Sequence, residues 1–197
     1  MLNPFSTKFW SPGTLPFLFS ERRETLDTLL AKSQRLPICQ IVGPHGTGKS
    51  TLLLELMKRY EKNGANVWYL FFNDQQRHIP HDLPSQKNHI FFVDGLEQLS
   101  CLNQGRLLLR LKHSIVTAHR PVWSIPVLYQ TKSQFSIFIQ LVRKMLPNPP
   151  DESTLRDVYD RSGGNVRNAF FELYDQWEKS DSVSHCYDVS RRTPTPR

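Results

Sequence analysis

Gly43-Pro44-His45-Gly46-Thr47-Gly48-Lys49-Ser50-Thr51 reads as glycine, four residues, glycine, lysine and serine, and the residue pattern changes period on either side of it. Upstream, Leu36 to Val42 is a short apolar run ending in glycine, as expected of a buried strand. Downstream, from Lys49 to Lys62, the leucines and Met57 recur at helical spacing. Strand, glycine-rich loop and helix, in that order, are the setting in which this spacing binds phosphate. The glycines let backbone N–H groups turn inward, and the helix N-terminus adds partial positive charge beside them. The whole stretch, Gly43, Pro44, His45, Gly46, Thr47, Gly48, Lys49, Ser50 and Thr51, is therefore a candidate nucleotide contact. Lys49 is expected at the β- and γ-phosphates, and Ser50 offers a hydroxyl to Mg²⁺, which prefers hard oxygen ligands.

Working outward, four more strand-like runs follow: Val67 to Phe72, Ile90 to Val93, Ser114 to Ala118 and a weaker one from Pro126 to Tyr129. A leucine-rich helical stretch, Leu96 to Leu111, separates the second and third of these. Near-continuous apolar strands alternating with helices predict an α/β fold, a parallel-sheet P-loop nucleotide-binding core. Three helical segments after it, Phe135 to Met145, Ser153 to Ser162 and Asn165 to Lys179, predict a small C-terminal helical lid. The expected organisation is a core with an N-terminal arm over 1–132, the lid over 133–179 and a disordered tail over 180–197. Ser20 is a candidate N-cap for a helix through Leu26, Leu29 and Leu30.

The run Ile90-Phe91-Phe92-Val93 ends in Asp94, a carboxylate where a P-loop nucleotidase needs a second magnesium-side ligand beside Ser50. Glu97, three residues on, is placed to orient or deprotonate a water for attack on the γ-phosphate; a surface acid in the first turn of a helix is the plain alternative. The polar segment Asn73 to Asn88 is long for a loop, which suits either function or an irregular insertion. His78, His81 and His89 there have no accompanying cysteine or dense acid and read as solvated loop residues. Phe17 or Phe19 could stack on a nucleotide base or fill the core beneath the sheet.

The chain of 197 residues has 39% hydrophobic and 22% charged residues, which suits one ordinary domain with a small lobe. No apolar run approaches the roughly 18 residues of a membrane span, and no secretory signal is visible, so no membrane contact and a cytoplasmic location are expected. Cys39, Cys101 and Cys186 are far apart and read as reduced thiols. The net charge of +7 favours anions, but a nucleotide is itself one; a protein partner stays open, and nucleic acid is a less favoured partner.

Asp94-Gly95-Leu96-Glu97-Gln98-Leu99 and Ile115-Val116-Thr117-Ala118-His119-Arg120-Pro121 resemble paired motifs of the signal-transducing, NACHT-like P-loop ATPases among the AAA+ relatives. Ser162-Gly163-Gly164-Asn165-Val166-Arg167-Asn168-Ala169 is similar to the lid segment of origin-recognition AAA+ ATPases. The resemblance implies that Thr117 or Arg120 senses the γ-phosphate from a strand end and that Arg167 does so from the lid. His119 is an extra residue relative to that pattern, and Gly95 stands where an acid commonly follows the magnesium aspartate. The combined expectation is a reduced, stand-alone AAA+-type core that binds ATP and Mg²⁺, hydrolyses ATP slowly and acts as a nucleotide-dependent switch. Lys49, Asp94, Glu97 and Arg167 are its expected catalytic residues. A small-molecule phosphotransferase, and a non-catalytic binding module contacting nucleic acid, are the alternatives.

Overall fold

A computed structural model describes residues 3–20, 24–84, 89–122 and 125–189. In chain order the elements are α1 (Thr7–Trp10), α2 (Leu26–Ser33), β1 (Ile38–Val42), α3 (Lys49–Lys62), β2 (Val67–Phe71), β3 (Ile90–Asp94), α4 (Cys101–Arg110), β4 (Ser114–Ala118), β5 (Val127–Gln130), α5 (Phe135–Met145), α6 (Glu152–Arg161) and α7 (Val166–Val189). They form two compact units, one from Pro12 to Ser133 and one from the residues before and after that span.

The first unit is a five-stranded, all-parallel sheet in the order β2-β3-β4-β1-β5. Burial follows this order. β1, β3 and β4 are buried along almost their whole length, whereas β2 and β5 keep exposed positions because each has a sheet neighbour on one side only. Alternation along β3 sends Phe92 into one core with Leu52, Leu53 and Leu56 of α3, and Phe91 and Val93 into another with Leu96, Leu107 and Leu111. Each such side chain, fully buried, contributes about 1.5–3 kcal/mol. One polar group is built into the centre: Gln40 of β1 donates to Ile125 O (2.8 Å) and accepts from Val122 N (3.0 Å), anchoring the connection that crosses from β4 to β5.

Local capping explains several boundaries. α2 is capped by Thr25, whose side chain exchanges hydrogen bonds with Thr28; Ser20, the expected cap, lies too early and instead pairs with the Tyr129 hydroxyl at 3.2 Å. The leucine-rich stretch after β3 is not one helix. It opens as a 3-10 turn over Leu96–Gln98, breaks at Leu99, and restarts as α4 with Ser100 as N-cap. Asn73 to Pro84 forms no regular helix or strand; residues 85–88 of the expected insertion lie outside the described residues.

The second unit packs α5, α6 and α7 around Phe138, Val142, Leu155, Val158, Ala169, Phe170 and Leu173. Gly163 and Gly164, with φ of 61° and 71°, turn the chain between α6 and α7, and the Asn165 side-chain Oδ1 then accepts from Arg167 N and Asn168 N. The N-terminal arm was expected with the sheet; it belongs here instead. Phe5 is buried against Phe170, and Asn3 donates to Tyr174 O and to Glu178 Oε1, because the arm's aromatics find their apolar cover among these helices. The expected tail is likewise shorter, since α7 continues to Val189; residues 190–197 lie outside the described residues. Among the described residues, no helix is long and apolar enough to cross a membrane.

Candidate nucleotide site

β4 and β5 flank β1, and the chain leaves β1 in one direction and crosses back over it between β4 and β5. Open parallel sheets form a ligand crevice outside the carboxyl ends of their strands at such a reversal. The loop after β1 lies at that edge. Gly43 N donates to Ala118 O at the end of β4, and Thr131 N, just past β5, donates to Val42 O.

Glycine at 43 is required by Thr131. A Cβ there would come within 2.1 Å of Thr131 Oγ1 and 2.6 Å of Thr131 O. The Thr131 hydroxyl also meets Thr47 Oγ1 at 2.6 Å, and Thr47 donates to Pro44 O, so one buried threonine ties both limbs of the loop. Gly46 and Gly48 take φ of 74° and 87°, and Gly48 lies under the Phe17 ring, which a Cβ would approach to 3.1 Å. Phe17 itself packs edge-on to Phe19 and Tyr129 beside the α3 core.

Lys49 opens α3 yet is almost wholly buried, and its ammonium donates to Gly43 O (2.7 Å) and Pro44 O (2.8 Å). Burial pulls its pKa down, while Glu97 and Asp94 act to restore it. Ser50 is half-buried in the first turn of α3, beside Thr51.

Asp94, buried at the end of β3, is held from both neighbouring strands. Thr117 of β4 donates to its Oδ1 at 2.6 Å, and Tyr69 of β2 donates to its Oδ2 at 3.1 Å. Each carboxylate oxygen keeps a second lone pair. Thr117 Oγ1 also accepts from Gly95 N (2.9 Å), so its single proton is committed to Asp94 and could reach a phosphate only by leaving it.

Gly95 has φ of 80°, and a Cβ there would lie 2.4 Å from Phe72 O. No acidic side chain has room at this position. The next acid is Glu97, carried into the site by the 3-10 turn. Its Oε1 lies 2.8 Å from His119 Nε2, and its Oε2 is buried without a hydrogen-bond partner. Burial raises the Glu97 pKa, opposed first by its own backbone N–H and then by Lys49. His119 is lowered to about 4, first by burial and then by Lys49 and His45. At neutral pH its contact with Glu97 is therefore a hydrogen bond from a neutral ring. The His45 ring, from the phosphate loop, sits 3.5 Å from that of His119 between centroids.

Of the residues singled out in the sequence, the loop, Asp94, Glu97 and Thr117 converge at this edge. Arg120 is exposed beyond β4, and Arg167 is exposed in the first turn of α7 in the other unit, where the nearby Glu172 is paired with Arg161 at 2.5 Å. Thr131 and Tyr69 were not foreseen, whereas His119, the extra residue after Thr117 and Ala118, is the strand-end side chain set against Glu97. For Thr131 the only available signal was its place directly after the weak fifth strand.

The donor set suits Mg²⁺ bound with a nucleotide. Among the described residues no three of His, Cys, Asp and Glu are grouped to hold a metal alone. Magnesium commonly uses one or two protein oxygens together with phosphates and water, and Ser50 and Asp94 fit that role.

No protein-family profile and no curated protein sequence matches the chain. A solved structure does: the crystal structure of a DNA replication initiation factor, with a TM-score of 0.53 and 16% identity over 80% of this chain. The chain spans 62% of that structure's length. The likeness is one of fold, an α/β parallel sheet with covering helices.

Proposed function

We propose that this chain binds ATP with Mg²⁺ in the loop Gly43–Thr51 and hydrolyses it slowly, as a nucleotide-dependent switch of AAA+ type. The observation that carries the reading is Lys49. A buried ammonium held on two carbonyls of its own loop, at the carboxyl edge of a parallel sheet, is a cation stored for an anionic ligand. On binding, Lys49 would exchange those carbonyls for the terminal phosphates. Ser50 and Asp94 would hold Mg²⁺, which would neutralise phosphate charge. Glu97 would be the base: as water oxygen bonds to the terminal phosphorus, the bond from that phosphorus to the bridging oxygen breaks, ADP leaves with the electron pair, and the water's proton passes to Glu97. Arg120 and Arg167 would act as phosphate sensors.

Thermal shift with ATP or GTP, with and without Mg²⁺, together with phosphate release, tests this. Lys49→Ala should keep the fold and lose roughly 100-fold in ATP affinity, about 2.7 kcal/mol. An unchanged ATP-dependent shift in that variant would remove the loop from nucleotide binding. The +7 charge and the likeness to a DNA replication initiation factor favour a second reading, nucleotide-dependent contact with nucleic acid, which a salt-dependent DNA titration with and without ATP would check.

A further inference from the structure

Two features of Glu97 are unexplained by its role as an acid near phosphate. One carboxylate oxygen is tied to an imidazole, and the other is buried with no partner at all. We infer that His119 is the positioning residue for Glu97: its Nε2–H holds Oε1 and so fixes Oε2, the carboxylate oxygen that carries no hydrogen bond, as the one that takes the attacking water's proton. The inference rests on the reading of Glu97 as base.

Three observations support it. The 3-10 turn that carries Glu97 is imposed by Gly95, whose conformation and cramped surroundings leave the turn little freedom, so the remaining uncertainty in Oε2 lies in the side-chain torsions. Fixing Oε1 at 2.8 Å removes it. The imidazole is kept neutral by burial beside Lys49 and His45, so it donates one hydrogen bond without discharging the carboxylate. Its ring is also packed against His45, which comes from the phosphate loop, so the position of that loop bears on the group that orients the base. The charged and titratable groups acting on the pair come from every side: Lys49 from α3, Asp94 from β3 and His45 from the loop. A histidine serving as a phosphate contact would instead need its Nε2–H free, and here that proton is committed to Glu97.

The test uses the full chain and the variants His119→Ala, His119→Gln, Glu97→Gln and Glu97→Ala, with phosphate release followed from pH 5 to 9 and ATP affinity by calorimetry. Glu97→Gln should lower kcat by about 100-fold or more. His119→Ala should lower kcat by about tenfold with ATP affinity within twofold. Its acid limb should move to higher pH, because the N–H that favours the charged carboxylate is gone. His119→Gln, which keeps an N–H donor, should recover most of kcat. A weaker ATP affinity with unchanged kcat in His119→Ala would put the imidazole on the nucleotide and overturn the proposal, as would an unmoved acid limb. Wild-type turnover in Glu97→Gln would instead overturn the base itself, which separates the two failures. In nucleotide-free protein, the Nε2 proton of His119 should be protected from exchange in NMR and lose protection in Glu97→Ala; absence of a protected proton in the wild type overturns the pairing whatever the turnover.

Discussion

The two units bury their side chains for opposite purposes. The helical unit is sealed by hydrocarbon: Phe5, Phe138, Tyr159 and Phe170 stack or tilt on one another at 5.6–6.4 Å, and its charges, Arg167 among them, face solvent. The sheet unit buries apolar residues on both faces but concentrates Lys49, Asp94, Thr117 and Thr131 at one edge, each nearly inaccessible. Buried polar groups must be hydrogen-bonded or they destabilise the fold. At this edge they bond one another and the loop; among the described residues of the sheet unit, Glu97 Oε2 and, at the start of β4, Ser114 Oγ are buried without a hydrogen-bond partner. The helical unit is held by apolar packing, whereas one edge of the sheet unit buries a polar network as well.

The largest expected effect breaks the helical side of this contrast. Phe138→Ala removes a ring with no exposed surface from the middle of that aromatic cluster, at a cost of about 3–5 kcal/mol. Urea unfolding should show it. A loss below about 1 kcal/mol would mean the cluster is not the unit's core.

Next comes a pair of glycines with similar backbones and different surroundings. Gly95→Ala sets a Cβ 2.4 Å from a carbonyl at φ 80°, and should cost about 2–4 kcal/mol. Gly163→Ala, at φ 61° but with open space around it, should cost only about 1–2 kcal/mol. Equal losses in the two variants would show that the site's tightness is not what demands glycine at 95.

The pH dependence of stability offers a finer test. His119 has its native pKa near 4 against an ordinary value of 6.5, so between those limits the unfolded chain takes up a proton that the native one refuses. Its share of stability is present above pH 6.5 and is lost as pH falls toward 4. Glu97 works the other way, because its raised native pKa favours the fold at low pH and that contribution is lost as pH rises. His119→Gln should therefore lose less stability than wild type between pH 6.5 and 4. Parallel denaturation curves would show that the ring is not held neutral by its surroundings.

The smallest effect belongs to Arg167. As an exposed side chain in the first turn of α7, its change to alanine should move stability by no more than about 0.5 kcal/mol. Calorimetry of ATP and ADP with wild type and variant then measures the sensing role alone, and an unaltered affinity ratio would remove Arg167 from it.

Much of this was legible from residue order. The loop spacing, the apolar runs on either side and Asp94 at a strand end are local properties, since glycine tolerance, strand burial and helix polarity act within a few residues. The paired glycines before Arg167 likewise announced the turn between α6 and α7. Other features had no local signature. Thr131 lies 88 positions after Gly43 in the chain, and it excludes any side chain there only because β5 pairs alongside β1. Tyr69 and Thr117 reach Asp94 because β2 and β4 are its sheet neighbours, an order set by long-range pairing. Phe5 joined the helices because an aromatic side chain is buried wherever cover is available, whatever its distance along the chain. The sequence by itself determined the kind of loop and the kind of fold. Which side chains surround the loop was decided by tertiary structure, because hydrogen bonds act over about 3 Å and sequence distance does not constrain that separation.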